Sequence, residues 1–246
     1  MSRVLDDPAL RAPDRIPGPH DPAPALPAAV LWDMDGTLID TEPCWKSVEL
    51  ELVRSHGGTW SREQAEALTG LSLLESGRVL RAAGVDLEPA EIALRMTEMV
   101  VDRLHEATFL PGALDLLAEL GRAGVPSALV TASYRVMADA VVARAPAGSF
   151  ALVVSGDEVT RGKPDPEPYR HAARALGVDP RHCVAIEDSP PGITAALASG
   201  ARTLGVRTQL PVPPRPGLSR VPSLVGVTLA DLTAIRHGAL LDRLGD

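Results

Sequence analysis

The fold of this chain is decided by one stretch, which reads Ala29-Val30-Leu31-Trp32-Asp33-Met34-Asp35-Gly36-Thr37-Leu38. The apolar run before Asp33 has the length of a strand and is too short for an ordinary helix, so we predict a buried strand. Successive strand residues point to opposite faces, so Asp33 and Asp35 leave the sheet on the same side. Gly36 allows the backbone to turn sharply and to approach a ligand closely. Two carboxylates at the end of a strand are also typical of a surface turn, so their role depends on the rest of the chain.

Composition places the chain among globular proteins. It has 246 residues, of which 45% are hydrophobic, and a formal net charge of −8, which predicts one large domain or two small ones. The negative charge argues against sequence-independent binding to nucleic acid or to an anionic membrane. No apolar run reaches the ~18 residues of a membrane span, and no signal peptide is visible. Cys44 and Cys183 fit no metal-binding spacing, so we expect reduced thiols in the cytoplasm. We also expect a monomer or weak dimer.

Three parts of the chain differ in composition and periodicity. Residues 1–27 are rich in proline without apolar periodicity, and we predict a disordered leader. Residues 42–108 repeat apolar side chains at helical spacing, which predicts a small all-helical domain inserted after the first strand. Residues 28–41 and 109–246 alternate strands with helices, as parallel β-α-β units do. We therefore expect an α/β core with a doubly wound parallel sheet.

The end of the α/β part predicts less regular structure. Residues 207–222 are rich in proline, and we expect a loop there. A short strand near Leu224 and a terminal helix are predicted to close the chain. The sequence indicates no role for this loop or for the leader.

Polar residues follow the predicted strands where ligands bind in an open parallel sheet, beyond the carboxyl ends. These residues, together with one loop lysine, are Asp33, Asp35, Thr131, Lys163, Glu187 and Asp188. Separately, Thr131 can be a helix cap, Lys163 a surface charge, and the acidic pair a polar turn. Together they place four carboxylates around one crevice, where they repel one another unless a cation is bound. A hard divalent cation with oxygen ligands, such as Mg²⁺, fits this arrangement.

The candidate residues lie in four motifs, which read Asp33-x-Asp35-Gly36-Thr37-Leu38, Val130-Thr131-Ala132-Ser133, Gly162-Lys163-Pro164 and Ile186-Glu187-Asp188-Ser189. Their order and approximate spacing resemble those of the haloacid dehalogenase superfamily. Each motif alone is weak, whereas the set is specific. The chain most closely resembles the capped small-molecule phosphatases and β-phosphoglucomutase-like proteins, over about residues 28–206. This resemblance implies a Rossmann-like core with a helical cap.

The resemblance also implies a role for each acidic residue. Asp33 would be the nucleophile that forms an aspartyl-phosphate, and Asp35 the acid and base that serves the leaving group and then water. A carboxylate is an established nucleophile for such transfer, and a neighbouring carboxyl group can be tuned for proton transfer. Asp33, the backbone carbonyl of Asp35, and Asp188 would bind Mg²⁺. Glu187 would be either a further metal ligand or a hydrogen-bond partner of one.

Phosphate binding is implied for two further motifs. Thr131, through its hydroxyl, Ala132, through neighbouring amides, and Lys163 would contact the phosphoryl oxygens. Charge spreads over these oxygens in the transition state, so a fixed cation directed at them accelerates transfer.

The helical insertion would act as a lid on hinges near residues 39–43 and 106–112. Most of its apolar side chains are expected to form its own core. The residues that we expect to line the substrate pocket are Trp45, Gly70, Leu71 and Leu73.

Two cap positions depart from the pattern of the similar phosphoglucomutases. Trp45 stands where those enzymes have a histidine that supports the mutase cycle, and Leu73 where they have an arginine that binds a second phosphate. Loss of both groups argues against a mutase. The arginines that can compensate from other positions are Arg78, Arg81, Arg95 and Arg103.

These observations predict a Mg²⁺-dependent phosphomonoester hydrolase that acts on a small phosphorylated metabolite, such as a sugar phosphate. Dehalogenases lack the second aspartate and the metal, so Asp35 and Asp188 argue against dehalogenation. The alternatives are a phosphomutase and a catalytically silent protein that binds a phosphorylated ligand. Fold and motifs do not identify the substrate.

Overall fold

The computed structural model describes residues 24–245 as one parallel sheet with helices on both faces and a helical insertion. In chain order the helices and strands are β1 (Val30–Trp32), β2 (Ile39–Asp40), α1 (Glu42–Ser55), α2 (Arg62–Glu66), α3 (Leu73–Ala82), α4 (Pro89–Arg103), β3 (Thr108–Phe109), α5 (Ala113–Arg122), β4 (Ser127–Val130), α6 (Arg135–Val142), β5 (Leu152–Val154), α7 (Glu167–Ala175), β6 (Val184–Glu187), α8 (Pro190–Ser199), β7 (Arg202–Val206), β8 (Leu218–Val221) and α9 (Leu229–Arg236). Short 3₁₀ turns cover Leu104–Glu106 and Pro180–His182.

The main sheet has six strands in the order β5-β4-β1-β6-β7-β8, and all neighbours are parallel. Strand β1 lies near the centre, with Trp32 in register with Leu129 of β4 and with Ile186 of β6. A strand covered on both faces is apolar throughout, which is why residues 29–32 form an uninterrupted apolar run. The predicted doubly wound, Rossmann-like sheet is confirmed.

Side chains of β1 alternate between two hydrophobic clusters, one on each face of the sheet. Val30 and Trp32 belong to a cluster that includes α5, α6 and α9. Leu31 belongs to a second cluster, which α7 and α8 complete. This alternation follows from the two-residue period of a strand. It fixes the direction in which the chain leaves the sheet after Trp32.

Helices α1 to α4 form an insertion between two short strands outside the main sheet. Strands β2 and β3 pair antiparallel, with Ile39 opposite Phe109 and Asp40 opposite Thr108. Each predicted hinge therefore contains a strand of two residues, which was not predicted from the sequence. We propose that the four helices, with this ribbon as their base, form the cap expected over residues 42–108.

The prediction for the last part of the sheet is wrong in one respect. The sixth strand is β8, which lies inside the stretch predicted as a loop, whereas Leu224 follows it in a turn. All four residues of β8 are buried, including Arg220, whose guanidinium pairs with Asp242. A buried arginine hid the apolar pattern of this strand. The predicted terminal helix is confirmed as α9.

Two further sequence expectations concern the leader and membranes. Most of the predicted disordered leader, residues 1–23, lies outside the described residues, and residues 24–27 form neither helix nor strand. Within residues 24–245, no helix combines the length and the apolar character needed to cross a membrane.

Close packing between α3 and α4 predicts an effect on stability. A Cβ at Gly77 in α3 would overlap the carbonyl oxygen of Pro89 at the start of α4. We expect Gly77→Ala to lower the free energy of unfolding by about 1–3 kcal/mol, because overpacking forces the two helices apart. Gly121 in α5 is the matched control, since a Cβ there meets no atom of the described residues within 4 Å.

Gly121→Ala is expected to raise stability by up to about 1 kcal/mol through helix propensity. Urea titrations followed by circular dichroism measure both variants. Equal effects would contradict the close contact between α3 and α4.

Candidate active site

A cavity of about 440 Å³ lies between the carboxyl ends of the central strands and the helical insertion. Strands β4 and β6 flank β1 at this point, so the cavity occupies the topological switch point of the sheet. The predicted site residues that line it are Asp33, Asp35, Trp45, Gly70, Leu71, Leu73, Ala132, Lys163 and Asp188. The other two, Thr131 and Glu187, are buried behind this surface.

Lys163 is a buried cation between two carboxylates. Its Nζ donates to Asp33 Oδ1 at 2.6 Å, to Glu187 Oε1 at 2.6 Å and to the carbonyl oxygen of Val130 at 2.9 Å. Burial disfavours the charge, but Asp33 and Glu187 outweigh burial and raise the pKa of Lys163 above its ordinary value. The side chain is 5% exposed, so the interpretation as a surface charge is wrong.

Glu187 anchors this lysine from beneath the cavity. Its Oε1 also accepts from the hydroxyl of Tyr169 at 2.7 Å, while its Oε2 accepts from the amides of Asp188 and Ser189. A Cβ at Gly192 would overlap the Glu187 carboxyl, so the start of α8 must approach it closely. Burial, and then the charge of Glu187, raises the pKa of Tyr169 well above its ordinary value, so this hydroxyl remains a donor.

Four donors fix the carboxylate of Asp35. Thr41, which precedes α1, and Trp45 within α1 donate to its Oδ1 at 2.5 and 3.3 Å. Ser133 and Thr131, which follow β4, donate to its Oδ2 at 2.8 and 3.3 Å. Trp45 was expected to line the substrate pocket, and its indole N–H also donates to Asp35. The insertion and the core therefore share the orientation of this residue.

Thr131 differs from its expected position. Its hydroxyl donates to Asp35 and accepts from the amide of Ser133 at 3.0 Å, and the residue is 2% exposed. Ala132 and Ser133 line the cavity instead. The loop after β4 thus offers its backbone to a ligand and its Thr131 hydroxyl to Asp35.

The acidic residues fit a divalent cation. Asp33, Glu187 and Asp188 each offer a carboxylate oxygen, and these oxygens lie within 4.8 Å of one another. Burial, and then the charge of Glu187, raises the pKa of Asp188 to about 7, and the same two causes raise the pKa of Asp33. Three buried carboxylates around one lysine leave a net negative charge, which a hard cation with oxygen ligands offsets.

Asp188 is oriented for such a role by two threonines. Thr37 donates to its Oδ1 at 3.1 Å and Thr208 to its Oδ2 at 2.9 Å. Gly36 has a φ of +80°, and a Cβ there would overlap Asp188 Oδ2. The turn after Asp35 therefore approaches Asp188 as closely as only glycine permits.

Sequence reasoning missed several residues of this site, namely Thr41, Ser133, Tyr169 and Thr208. Ser133 belongs to the second of the four family motifs, so this motif could have identified it as a site residue. Tyr169 and Thr208 had none, because only the tertiary fold brings them to Glu187 and Asp188.

The hydroxyl of Tyr169 predicts a measurable contribution to stability. We expect Tyr169→Phe to lower the free energy of unfolding by about 1.5–3 kcal/mol, because it removes a buried hydrogen bond to a charged group. Tyr134→Phe is the control, since that half-buried tyrosine hydroxyl makes no hydrogen bond within residues 24–245. Urea denaturation compares the two, and equal losses would show that the bond to Glu187 contributes nothing.

Comparisons with known proteins agree with this geometry. The family model described as haloacid dehalogenase-like hydrolase matches residues 27–200. Hexitol phosphatase A of Escherichia coli (strain K12) is 32% identical over 185 residues, which cover 74% of this chain and 84% of that protein. Fructose-1-phosphate phosphatase YqaB of the same organism is 31% identical over 183 residues, covering 73% of this chain and 96% of that protein.

A solved structure gives the same result. The crystal structure of CbbY from Rhodobacter sphaeroides in complex with phosphate superposes with a TM-score of 0.76 and 31% identity, covering 85% of this chain and 99% of that one. The sequence resemblance is thereby confirmed: the chain belongs to the haloacid dehalogenase-like hydrolase family.

Proposed function

We propose that this protein is a Mg²⁺-dependent phosphomonoester hydrolase acting on a small phosphorylated metabolite such as a sugar phosphate. The observation that carries the proposal is the geometry of Asp33. Lys163 binds its Oδ1 at 2.6 Å, while its Oδ2 accepts no hydrogen bond from residues 24–245. One carboxylate oxygen is thus fixed and the other is available to react. The similar hexitol and fructose-1-phosphate phosphatases support the substrate class.

In the proposed reaction, Asp33 and Asp35 divide the work. An oxygen of Asp33 attacks phosphorus, the bond from phosphorus to the leaving oxygen breaks, and Asp35 gives that oxygen a proton. An aspartyl-phosphate on Asp33 results. Asp35 then takes a proton from water, whose oxygen attacks phosphorus and releases Asp33 as a carboxylate. The four donors around Asp35 keep it directed at the leaving oxygen throughout.

The remaining groups bind the phosphoryl oxygens and the metal. We assign the phosphoryl oxygens to Lys163 and to the backbone around Ala132, with Thr131 acting on Asp35. Asp33 and Asp188 would bind Mg²⁺, with the backbone carbonyl of Asp35 as the family resemblance implies. Bound Mg²⁺ supplies positive charge that stabilises the phosphoryl oxygens as charge develops. Glu187 serves as the anchor of Lys163, because its oxygens already accept hydrogen bonds.

The lining of the cavity favours hydrolysis over the mutase alternative. Among the described residues that line it, Lys163 is the one basic side chain, whereas a mutase must also bind a second phosphate. The arginines that can compensate lie elsewhere: Arg78 is exposed, and the ion pairs of the others are Arg81–Glu88, Arg95–Glu98 and Arg103–Glu51. None of these arginines lines the cavity, so the cap residues that do line it present no cation to a second phosphate.

Compartment and partners follow from simpler features. We propose a cytoplasmic protein, because Cys44 and Cys183 are buried free thiols. We further propose a monomer or weak dimer without nucleic-acid or membrane partners, in keeping with the net charge of −8.

Hydrolysis itself is the first test. Purified protein should release phosphate from p-nitrophenyl phosphate with Mg²⁺ and stop when EDTA is added. Asp33→Asn should lower turnover by roughly 10⁴-fold or more, since it removes the nucleophile at nearly constant volume. Asp86→Asn, the same change at an exposed residue of the insertion, should leave turnover unchanged.

Near-parental turnover by Asp33→Asn would contradict the covalent mechanism. Failure of the parent to cleave any ester in a broad panel, with phosphate still bound, would favour the silent ligand-binding alternative.

The choice between phosphatase and mutase needs a substrate on which the two differ. β-Glucose 1-phosphate is supplied with a trace of glucose 1,6-bisphosphate, and glucose 6-phosphate and free phosphate are followed together. We expect phosphate without the isomer, because the cap offers no cation to hold a bisphosphate for a second transfer. Glucose 6-phosphate formed faster than phosphate would identify a mutase.

A further inference from the structure

Glu49 is a buried carboxyl group for which the proposed reaction has no use. It lies in α1, lines the cavity and is 5% exposed. Its Oε2 is buried without a hydrogen-bond partner among residues 24–245. Burial raises the pKa of Glu49 to about 7, and the nearby indole N–H of Trp60 lowers it only in part. A buried carboxyl group without a hydrogen bond is unfavourable. The presence of Glu49 in the cavity wall therefore indicates a ligand that supplies a hydrogen-bond donor.

The position of Glu49 relates it to the leaving group of the substrate. Glu42, Trp45 and Glu49 are spaced by three and four residues, so they share the face of α1 that lines the cavity. Trp45 donates to Asp35, the proposed acid for the leaving oxygen. Glu49 lies four residues further along the helix, about 6 Å away along the axis. A group of that reach contacts the carbon skeleton behind the leaving oxygen and not the phosphate.

The surroundings of Glu49 distinguish it from the other acidic residue on this face. Glu42 already accepts from Thr69 at 2.7 Å and pairs with Lys46 at 3.0 Å. Glu49 makes no hydrogen bond or ion pair of this kind within the described chain, and the donor beside it, the indole N–H of Trp60, is likewise buried without a hydrogen bond there. The rest of the cavity lining from the insertion combines apolar side chains, among them Leu68, Leu73 and Met96, with the hydroxyl groups of Thr69, Ser72 and Ser76. One carboxyl group without a hydrogen bond among these residues is a means of discrimination between leaving groups.

We propose that Glu49 is a specificity-determining residue that binds a hydroxyl group of the leaving alcohol. The inference rests on the proposed function. A hydroxyl suits this site because it can donate to the carboxylate or accept from the protonated acid, and both forms exist near neutral pH. An apolar leaving group leaves the carboxyl unpaired, and a second phosphate meets two acidic residues, Glu42 and Glu49. The structure therefore selects monophosphates of hydroxylated compounds.

The test compares phosphate esters of hydroxylated compounds with alkyl phosphates of the same number of carbon atoms. Sorbitol 6-phosphate and fructose 1-phosphate are paired with n-hexyl phosphate, and glycerol 3-phosphate with n-propyl phosphate. We expect the parent to prefer at least one hydroxylated ester in kcat/KM by roughly a hundredfold, since a site built to bind a hydroxyl rejects analogues that lack it. Glu49→Leu should reduce this preference by about tenfold or more, mainly through a higher KM for the hydroxylated ester.

Three further variants separate recognition from a structural role. Glu49→Gln keeps the shape and part of the hydrogen bonding, so it should retain an intermediate preference for hydroxylated esters. It also tests the proposal if Glu49→Leu fails to fold. Trp60→Phe removes the indole N–H beside the carboxyl. Glu63→Gln makes the same chemical change at an exposed residue of the insertion and should leave the preference at the parental ratio.

Each outcome decides the matter. If the parent cleaves alkyl phosphates as well as every hydroxylated ester, the proposal is wrong. The proposal is equally wrong if Glu49→Leu and Glu49→Gln keep the parental ratio of kcat/KM between hydroxylated and alkyl esters and only lower the melting temperature. Trp60→Phe would show the same pattern if Glu49 and Trp60 formed a purely structural pair. Absence of phosphate release by the parent from every ester, hydroxylated or alkyl, would instead refute the proposed function.

Discussion

The buried ammonium of Lys163 is the interaction on which the rest of the site depends. It contacts Asp33 after β1, the carbonyl oxygen of Val130 in β4 and Glu187 in β6. These are the three central strands of the sheet, so a single charge joins their carboxyl ends. Buried charges are tolerated only when they are paired. Removal of this cation would leave the carboxylates of Asp33 and Glu187 without a compensating charge. The carboxyl ends of the three strands would also lose the side chain that connects them.

Asp35 connects this edge to the helical insertion. Its Oδ1 receives donors from Thr41 and Trp45 at the start of the insertion, and its Oδ2 receives donors from the core. The proposed acid is therefore fully oriented only when the insertion lies over the sheet. We propose that closure of the cap completes the orientation of Asp35 and excludes water at the same time, which would restrict the reaction to the closed state.

The sequence predicted the central sheet and the family because buried parallel strands are continuous apolar runs and the reactive groups follow them directly. The pattern also predicted a terminal helix, which the structure confirms as α9, Leu229–Arg236. The features that were not predicted depend on contacts between residues that are distant in sequence. Tyr169 reaches Glu187 only through the packing of α7. Strand β8 was hidden by Arg220, whose partner Asp242 lies far along the chain. Hydrophobic periodicity does not predict the hydrogen bond that the indole N–H of Trp45 donates to Asp35.

The ribbon of β2 and β3 has a consequence for how such proteins diversify. Asp40 and Thr108 are neighbours across the ribbon, and Leu110 donates to the carbonyl oxygen of Leu38 at 2.9 Å, so the chain leaves the insertion beside the point where it entered. Whatever lies between these two residues closes on the same short bridge, and every strand of the main sheet lies outside it. Recombination at Asp40 and Thr108 can thus exchange the insertion without interrupting a strand of the main sheet, provided that the new segment replaces the two donors to Asp35 that Thr41 and Trp45 supply.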